Sequence, residues 1–136
     1  MSIEENKKIV REFSRLLNKD GDIEGAFDLV APDAIWWVPT NEPGGQSFTR
    51  EQILGSVGAF FGVLATKPDF NIEQMTAEDD RVSVLQTARG GLTRGGATYG
   101  NDYHMMYRLR DGKIVEVREY MNPICAAGII AELGAG

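Results

Sequence analysis

The chain has 136 residues, 43% hydrophobic and 25% charged, enough for one domain with a substantial core. A net charge of −6 with no basic cluster argues against a nucleic-acid or anionic-membrane surface. One cysteine and one histidine exclude an internal disulfide and leave too few ligands for a zinc centre. The absence of a signal peptide or a long apolar run places the expected protein in the cytoplasm, with no metal.

In chain order, residues 2–18 read as a helix. Ser2 with Glu5 makes a capping box, and Ile9, Val10, Phe13, Leu16 and Leu17 recur at helical spacing. Lys19-Asp20-Gly21-Asp22 stops it, and a shorter helix over 22–30 turns Phe27 and Val30 inward. Pro32-Asp33 breaks into a strand over 34–38, and 40–48 reads as a polar loop rich in Gly and Pro. Thr49 and Gln52 form a second capping box opening a helix over 49–65, with Ile53, Val57, Phe60, Phe61 and Leu64 as its stripe. The sheet resumes over 70–122 with strands at 70–76, 81–90, 99–109 and 113–121. A tail, 123–136, opens with Asn122 as cap and Pro123 as first helical residue. Helices followed by antiparallel strands predict an α+β fold, with a ligand cavity between the first helix and the apolar face of the sheet.

The stretch from Gly96 to Asn122 is the most informative. Asp111-Gly112 between alternating runs is a strong hairpin signal. A two-residue loop sets His104 opposite Glu119, whereas a three-residue loop sets Tyr103 there. The latter sorts the faces better. Tyr99, Asn101, Tyr103, Met105, Tyr107 and Leu109 then share an inner face with Val115, Val117, Glu119 and Met121. Asp102, His104, Met106, Arg108, Ile114, Glu116, Arg118 and Tyr120 lie outside. Asn101, Tyr103 and Glu119 thereby become polar groups on an apolar wall. Trp36 and Trp37 are neighbours in a strand, so only one can point inward. Cys125 reads as a buried packing thiol.

The order of helices and strands, with the run from Tyr99-Gly-Asn-Asp-Tyr-His through Asp-Gly-Lys-Ile to Glu119-Tyr-Met-Asn122, resembles SnoaL-like proteins. These belong to the nuclear transport factor 2-like superfamily of cone-shaped α+β barrels, which includes ketosteroid isomerases, polyketide cyclases and epoxide hydrolases. The resemblance implies a curved antiparallel sheet wrapped around the N-terminal helices. By analogy Trp37 lines the cavity and Trp36 packs outside. Glu119 falls where epoxide hydrolases carry one catalytic aspartate, Arg89 near their arginine, and Ile35 and Trp37 near their water-holding pair. Gly91 stands where the second aspartate would be, so the resemblance favours an isomerase or cyclase type over epoxide hydrolysis.

The implied function is cofactor-free acid–base chemistry on a small apolar carbonyl compound. Glu119 is the expected proton-transfer group, Tyr103, Asn101 and Arg89 orient the substrate, and Ile35, Trp37, Met105, Val117 and Met121 form the walls. The alternative is a ligand-binding or scaffold protein of the same fold. A homodimer is expected through the outer sheet face, with Trp36, Met106, Ile114 and Tyr120 in the contact.

Overall fold

A computed structural model describes residues 2–18 and 21–135. Helix α1 (Ile3–Leu17) starts where Ser2 Oγ accepts from the Glu5 amide at 3.1 Å, and its buried stripe carries Val10 and Phe13. Its predicted stop signal falls partly on Lys19 and Asp20, outside the described residues. At the helix end, Asn18 Nδ2 donates to the Phe70 carbonyl at 3.0 Å and Asn18 Oδ1 accepts from the Phe70 amide at 3.1 Å. One side chain thus imitates a strand and ties the helix to the sheet.

Helix α2 (Ile23–Phe27) is shorter than its hydrophobic pattern implied, because Val30 already belongs to β1 (Val30–Val38). A second strand, β2 (Gln46–Thr49), pairs antiparallel with β1 inside the segment expected to be loop. Helix α3 (Arg50–Gly62) opens on the predicted capping box, with Thr49 Oγ1 accepting from the Gln52 amide at 3.2 Å and Gln52 Oε1 from the Thr49 amide at 2.9 Å. Short β3 (Leu64–Thr66) comes next, then β4 (Asp69–Glu78), β5 (Arg81–Thr93), β6 (Thr98–Arg110), β7 (Lys113–Met121) and α4 (Ala127–Ala135). The tail is a turn over 123–126 before α4, and Cys125 in that turn is exposed rather than buried, while its neighbour Ala126 packs inward.

The strands make one curved, unclosed sheet in the order β2-β1-β7-β6-β5-β3, with β4 also on β5. β1 runs parallel to β7, and the other pairings are antiparallel. This is the α+β architecture that the order of helices and strands predicts. α1 lies in the concavity, where Phe13 meets Phe27, Trp36 and Tyr107 at ring-centroid distances of 5.8, 6.1 and 6.0 Å.

The β6–β7 hairpin adopts neither predicted register. Asp111 (φ 51°) and Gly112 (φ 80°) form a two-residue turn with both central residues left-handed, which matches the twist of the strands, and Arg110 pairs with Lys113. A bulge comes immediately after: Leu109 pairs with Ile114, but Arg108 pairs with Glu116, leaving Val115 as the extra residue. Two changes to the expectation result. Glu119 lies opposite Met105, and Tyr103 lies opposite Met121. Ile114, expected outside, is fully buried because it precedes the bulge. The displacement is an even number of residues relative to the three-residue register, so the predicted inner face of β6 and of Val117, Glu119 and Met121 stands.

The bulge has a measurable signature. Ile114→Ala is expected to lower the unfolding free energy by about 2–5 kcal/mol, and Val115→Ala by roughly 1 kcal/mol. Denaturant titration of both variants checks this, and equal costs would contradict the placement of the bulge.

Candidate active site

Inward-facing residues of β5, β6 and β7 align in rows across the sheet. Val82, Tyr107 and Val117 form one; Val84, Met105 and Glu119 the next; Gln86, Tyr103 and Met121 the third. Trp36 on β1 is level with Val117. Between these rows and the helices lie two hollows. The inner chamber, about 100 Å³, is walled by Phe13, Trp36, Phe70, Tyr103, Met105 and Tyr107, among others. The outer one, about 450 Å³, runs under α3 and α4 and includes Phe48, Tyr99, Met121, Ile129 and Leu133. Trp36, Val57, Phe60 and Glu119 belong to both walls, so the carboxylate stands where the chambers adjoin.

Among the described residues Glu119 has no cationic partner there. Its Oε1 accepts a hydrogen bond from Trp36 Nε1 at 3.1 Å. Burial pushes its pKa above the usual 4.5, and the indole donor pulls it partly back. The little surface the side chain retains faces the chambers, where it can meet a ligand.

Beside Glu119 runs a polar chain. Asn101, 1% exposed, accepts from the amides of Asp102 and Asn122 at 2.9 and 3.0 Å through Oδ1. Those two backbone donors fix the amide, so Nδ2 must donate, and it does so to Tyr99 Oη at 3.2 Å and to the Asn122 carbonyl at 3.0 Å. Tyr99 Oη is hydrogen-bonded to Tyr103 Oη. Either hydroxyl can be the donor in that bond; with Tyr99 donating, the Tyr103 proton faces the inner chamber. Burial raises the pKa of both tyrosines, so both remain protonated donors at neutral pH.

Three expected site residues lie elsewhere. Trp36, 5% exposed, occupies the wall assigned to Trp37. Trp37 faces outward. Its Nε1 donates to the Gly44 carbonyl at 2.8 Å, and its ring packs on Tyr120 and under the Arg118 guanidinium. Ile35, 46% exposed, lies on that same outer face. The run Ala34-Ile35-Trp36-Trp37-Val38 is apolar throughout, so hydrophobic alternation gives no phase, and the phase taken by analogy is off by one residue. Arg89 also points out. It pairs with Asp102 at 2.7 Å and donates to the carbonyls of Ala88 and Asn101 at 2.9 and 2.8 Å, so it is no counter-ion for Glu119.

Met105 and Met121 do line the chambers, while Val117 is packed in the core behind them. His104 is on the outer face, bonded to Ser83 Oγ at 2.7 Å. Sequence reasoning missed Trp36 and Gln86 as wall residues, and it placed Tyr99 on the inner face without counting it in the site. Gln86 was detectable, because it is the polar member of the alternating run Val82-Val84-Gln86-Ala88. Among the described residues no three His, Cys, Asp or Glu side chains are placed to hold a metal ion. A larger groove of about 610 Å³ at the Asp79–Asp80 and Asp111–Gly112 turns is polar. The arginines on it are already paired, Arg108 with Asp80 and Glu116 and Arg110 with Asp33.

The raised pKa of Glu119 has a stability consequence. Ionising it costs more in the folded than in the unfolded chain, so its contribution is intact below about pH 4.5 and is lost as pH rises through the folded value. Glu119→Gln, which cannot ionise, is expected to gain stability over the parent protein between pH 4 and pH 8. Melting temperatures across that range check it; a difference that does not change with pH would show that Glu119 is not desolvated.

A sequence profile of the SnoaL-like domain matches residues 10–117. No curated protein sequence matches the chain. Among solved structures, IdmH from Streptomyces antibioticus, a candidate polyketide cyclase, is 22% identical with a TM-score of 0.75, covering 93% of this chain and 98% of its own. A candidate SnoaL-like polyketide cyclase from Jannaschia sp. CCS1 is 18% identical with a TM-score of 0.78, covering 96% and 95%. An NTF2-like protein from Burkholderia xenovorans LB400 is 22% identical with a TM-score of 0.71, covering 95% and 98%. At these identities the structural likeness is one of fold. The profile match spans most of the chain, and the protein belongs to the SnoaL-like domain family.

Proposed function

We propose that the protein carries out cofactor-free acid–base chemistry on a small carbonyl compound with an apolar body. The observation that carries this reading is Glu119: a half-buried carboxylate with no counter-ion among the described residues, held by one indole donor and lining two apolar chambers. In the proposed step, the substrate carbonyl oxygen accepts the Tyr103 proton, and Glu119 removes a proton from the carbon next to that carbonyl. The electron pair moves onto the oxygen, where Tyr103, oriented through Tyr99 and Asn101, stabilises the enolate. Glu119, now neutral, returns the proton to a different carbon for isomerisation; for cyclisation the enolate carbon adds to a second carbonyl carbon of the substrate, whose π electrons move onto its oxygen, and that alkoxide takes the proton. Trp36 holds one carboxylate oxygen and leaves the other for the substrate. Apolar walls exclude water and keep the carboxylate basic.

Binding without catalysis is the second reading. It is favoured by one observation: Glu119 is the only carboxylate among the residues lining the two chambers. Exchange of the α-protons of 2-tetralone into deuterium oxide, followed by NMR, separates the two. The enzyme reading expects acceleration over buffer, at least 100-fold loss in Glu119→Gln, and about 10–1000-fold loss in Tyr103→Phe. It also expects the rate to rise with pH through a midpoint above 4.5, because the base must be ionised. No exchange with the parent protein, alongside saturable binding of 2-tetralone, would leave the binding reading standing.

The proposal includes a homodimer through the outer sheet face. Trp36 and Ile114 are inside and drop out of the expected contact, while Met106 and Tyr120 remain in it and are joined by exposed Ile35 and Leu85 and by Trp37. Light scattering at micromolar concentration should report twice the chain mass of 15.0 kDa, and a monomer would remove this part of the proposal.

A further inference from the structure

Tyr107 is 2% exposed, and its ring lies edge-on to Phe13 in the row nearest the closed end of the sheet. It lines the inner chamber, and burial and the Glu119 charge are the only influences on its hydroxyl, with no hydrogen bond to it among the described residues. Asn6 Oδ1 is the one fully enclosed side-chain polar atom left without a partner among those residues, so the Tyr107 oxygen keeps some surface open to the hollow. The neighbouring tyrosines differ, since Tyr99 and Tyr103 satisfy each other. A buried hydroxyl without a partner costs about 1–3 kcal/mol, and phenylalanine would pack the same space without that cost. The atoms Tyr107 has that phenylalanine lacks are those of a hydroxyl that is neither fully enclosed nor hydrogen-bonded among the described residues, on a residue that lines the hollow.

We propose that the Tyr107 hydroxyl is a ligand-binding donor at the floor of the inner chamber, and that the natural ligand carries an acceptor oxygen at its leading end. The inference rests on the reading of the chamber as a ligand site, and adds the position of a second oxygen. Tyr107 lies one row deeper than Glu119, a separation of two residues along the strand or roughly 7 Å. The ligand therefore has one polar centre at Glu119 and Tyr103 and a second about one ring away, at the end that enters first. At about 100 Å³, the chamber is smaller than the roughly 150 Å³ in which an engineered apolar cavity holds a benzene molecule, so it admits no more than one small ring. The leading part is thus a single small ring or its equivalent, and the apolar remainder occupies the 450 Å³ hollow under α4. The burial of the phenol and the charge on Glu119 both raise the Tyr107 pKa, so the group is a neutral donor and not an anion at physiological pH.

The probes are 2,6-dihydroxynaphthalene, with an oxygen at each end, and 2-naphthol, which lacks one of them. Isothermal titration calorimetry of the parent protein should show the diol bound about 3–10-fold more tightly. In Tyr107→Phe, which removes one oxygen and keeps the ring, that preference should disappear while 2-naphthol affinity changes less than about threefold. A diol preference that survives in Tyr107→Phe, or that is missing from the parent protein, overturns the assignment of Tyr107 and leaves the chemistry proposed for Glu119 untouched. Failure of the parent protein to bind either compound overturns the ligand chamber itself. Circular dichroism of Tyr107→Phe should match the parent, so lost preference cannot be charged to misfolding.

Discussion

A sheet curved this strongly encloses more space than one helix can fill, and the packing of Phe13 decides where the filling stops. Its ring contacts Phe27, Trp36 and Tyr107, residues from α2, β1 and β6. These aromatic contacts make a plug near the closed end, and Phe27 stacking on Trp36 at 6.1 Å locks the indole from its other side. The inner chamber is built directly on the plug, with Trp36 and Tyr107 belonging to both. Trp36, once held, has one indole N–H to present, and the carboxylate of Glu119 two residues past its β7 neighbour Val117 receives it. The site is a consequence of how the core is terminated.

The legible part of the fold came from hydrophobic periodicity where periodicity was clean. α1, the capping box of α3 and the inner face of β6 each carry an unambiguous local pattern, and all three stand in the structure. The unreadable parts share a cause. Ala34 to Val38 is apolar at every position, so Trp36 and Trp37 were indistinguishable. Gln46 to Thr49 is polar at nearly every position, so β2 resembled loop. The bulge at Val115 was hidden differently, because Ile114 and Val115 are adjacent β-branched residues and either can take the buried place. Arg89 was placed by the family resemblance, although the alternation of Val82, Val84, Gln86 and Ala88 on the inner face already turns it outward. Gly90, at φ 81°, lies within the irregular pairing between Ala88 and Gly91, and Arg89 turns to the exposed Asp102.

The separation of charge between the two sheet faces explains why Glu119 stays unpaired. Arg108, Arg118 and Arg89 each have carboxylate partners on the outer face or at the hairpin ends, where water screens them and each pair contributes little. Bringing one of them inside would neutralise Glu119 and lower its pKa, at the expense of burying a second ion. With only an indole to hold it, the carboxylate keeps a raised pKa, a property a buried ion pair would erase. The energetic cost of that isolation is a stability cost at neutral pH, borne by the aromatic core beneath.

The hydrogen bonds of Asn101 tie the C-terminal tail to the two tyrosines. Asn101 can orient Tyr99 only because its own oxygen is claimed by the amides of Asp102 and Asn122. Asn122 is the residue at which β7 hands over to the tail. The turn beyond it, opened by Asn122 Oδ1 accepting from the Ile124 amide at 2.9 Å, leads to α4 over the outer chamber. If the tail left the sheet at a different angle, the Asn122 amide would leave Asn101. Asn101 would also lose the Asn122 carbonyl that its Nδ2 reaches, and the donor it presents to Tyr99 would be less firmly placed. The course of the tail towards α4 and the placing of the Asn101 amide beside Tyr99 are therefore coupled, through the two hydrogen bonds between Asn101 and the Asn122 backbone.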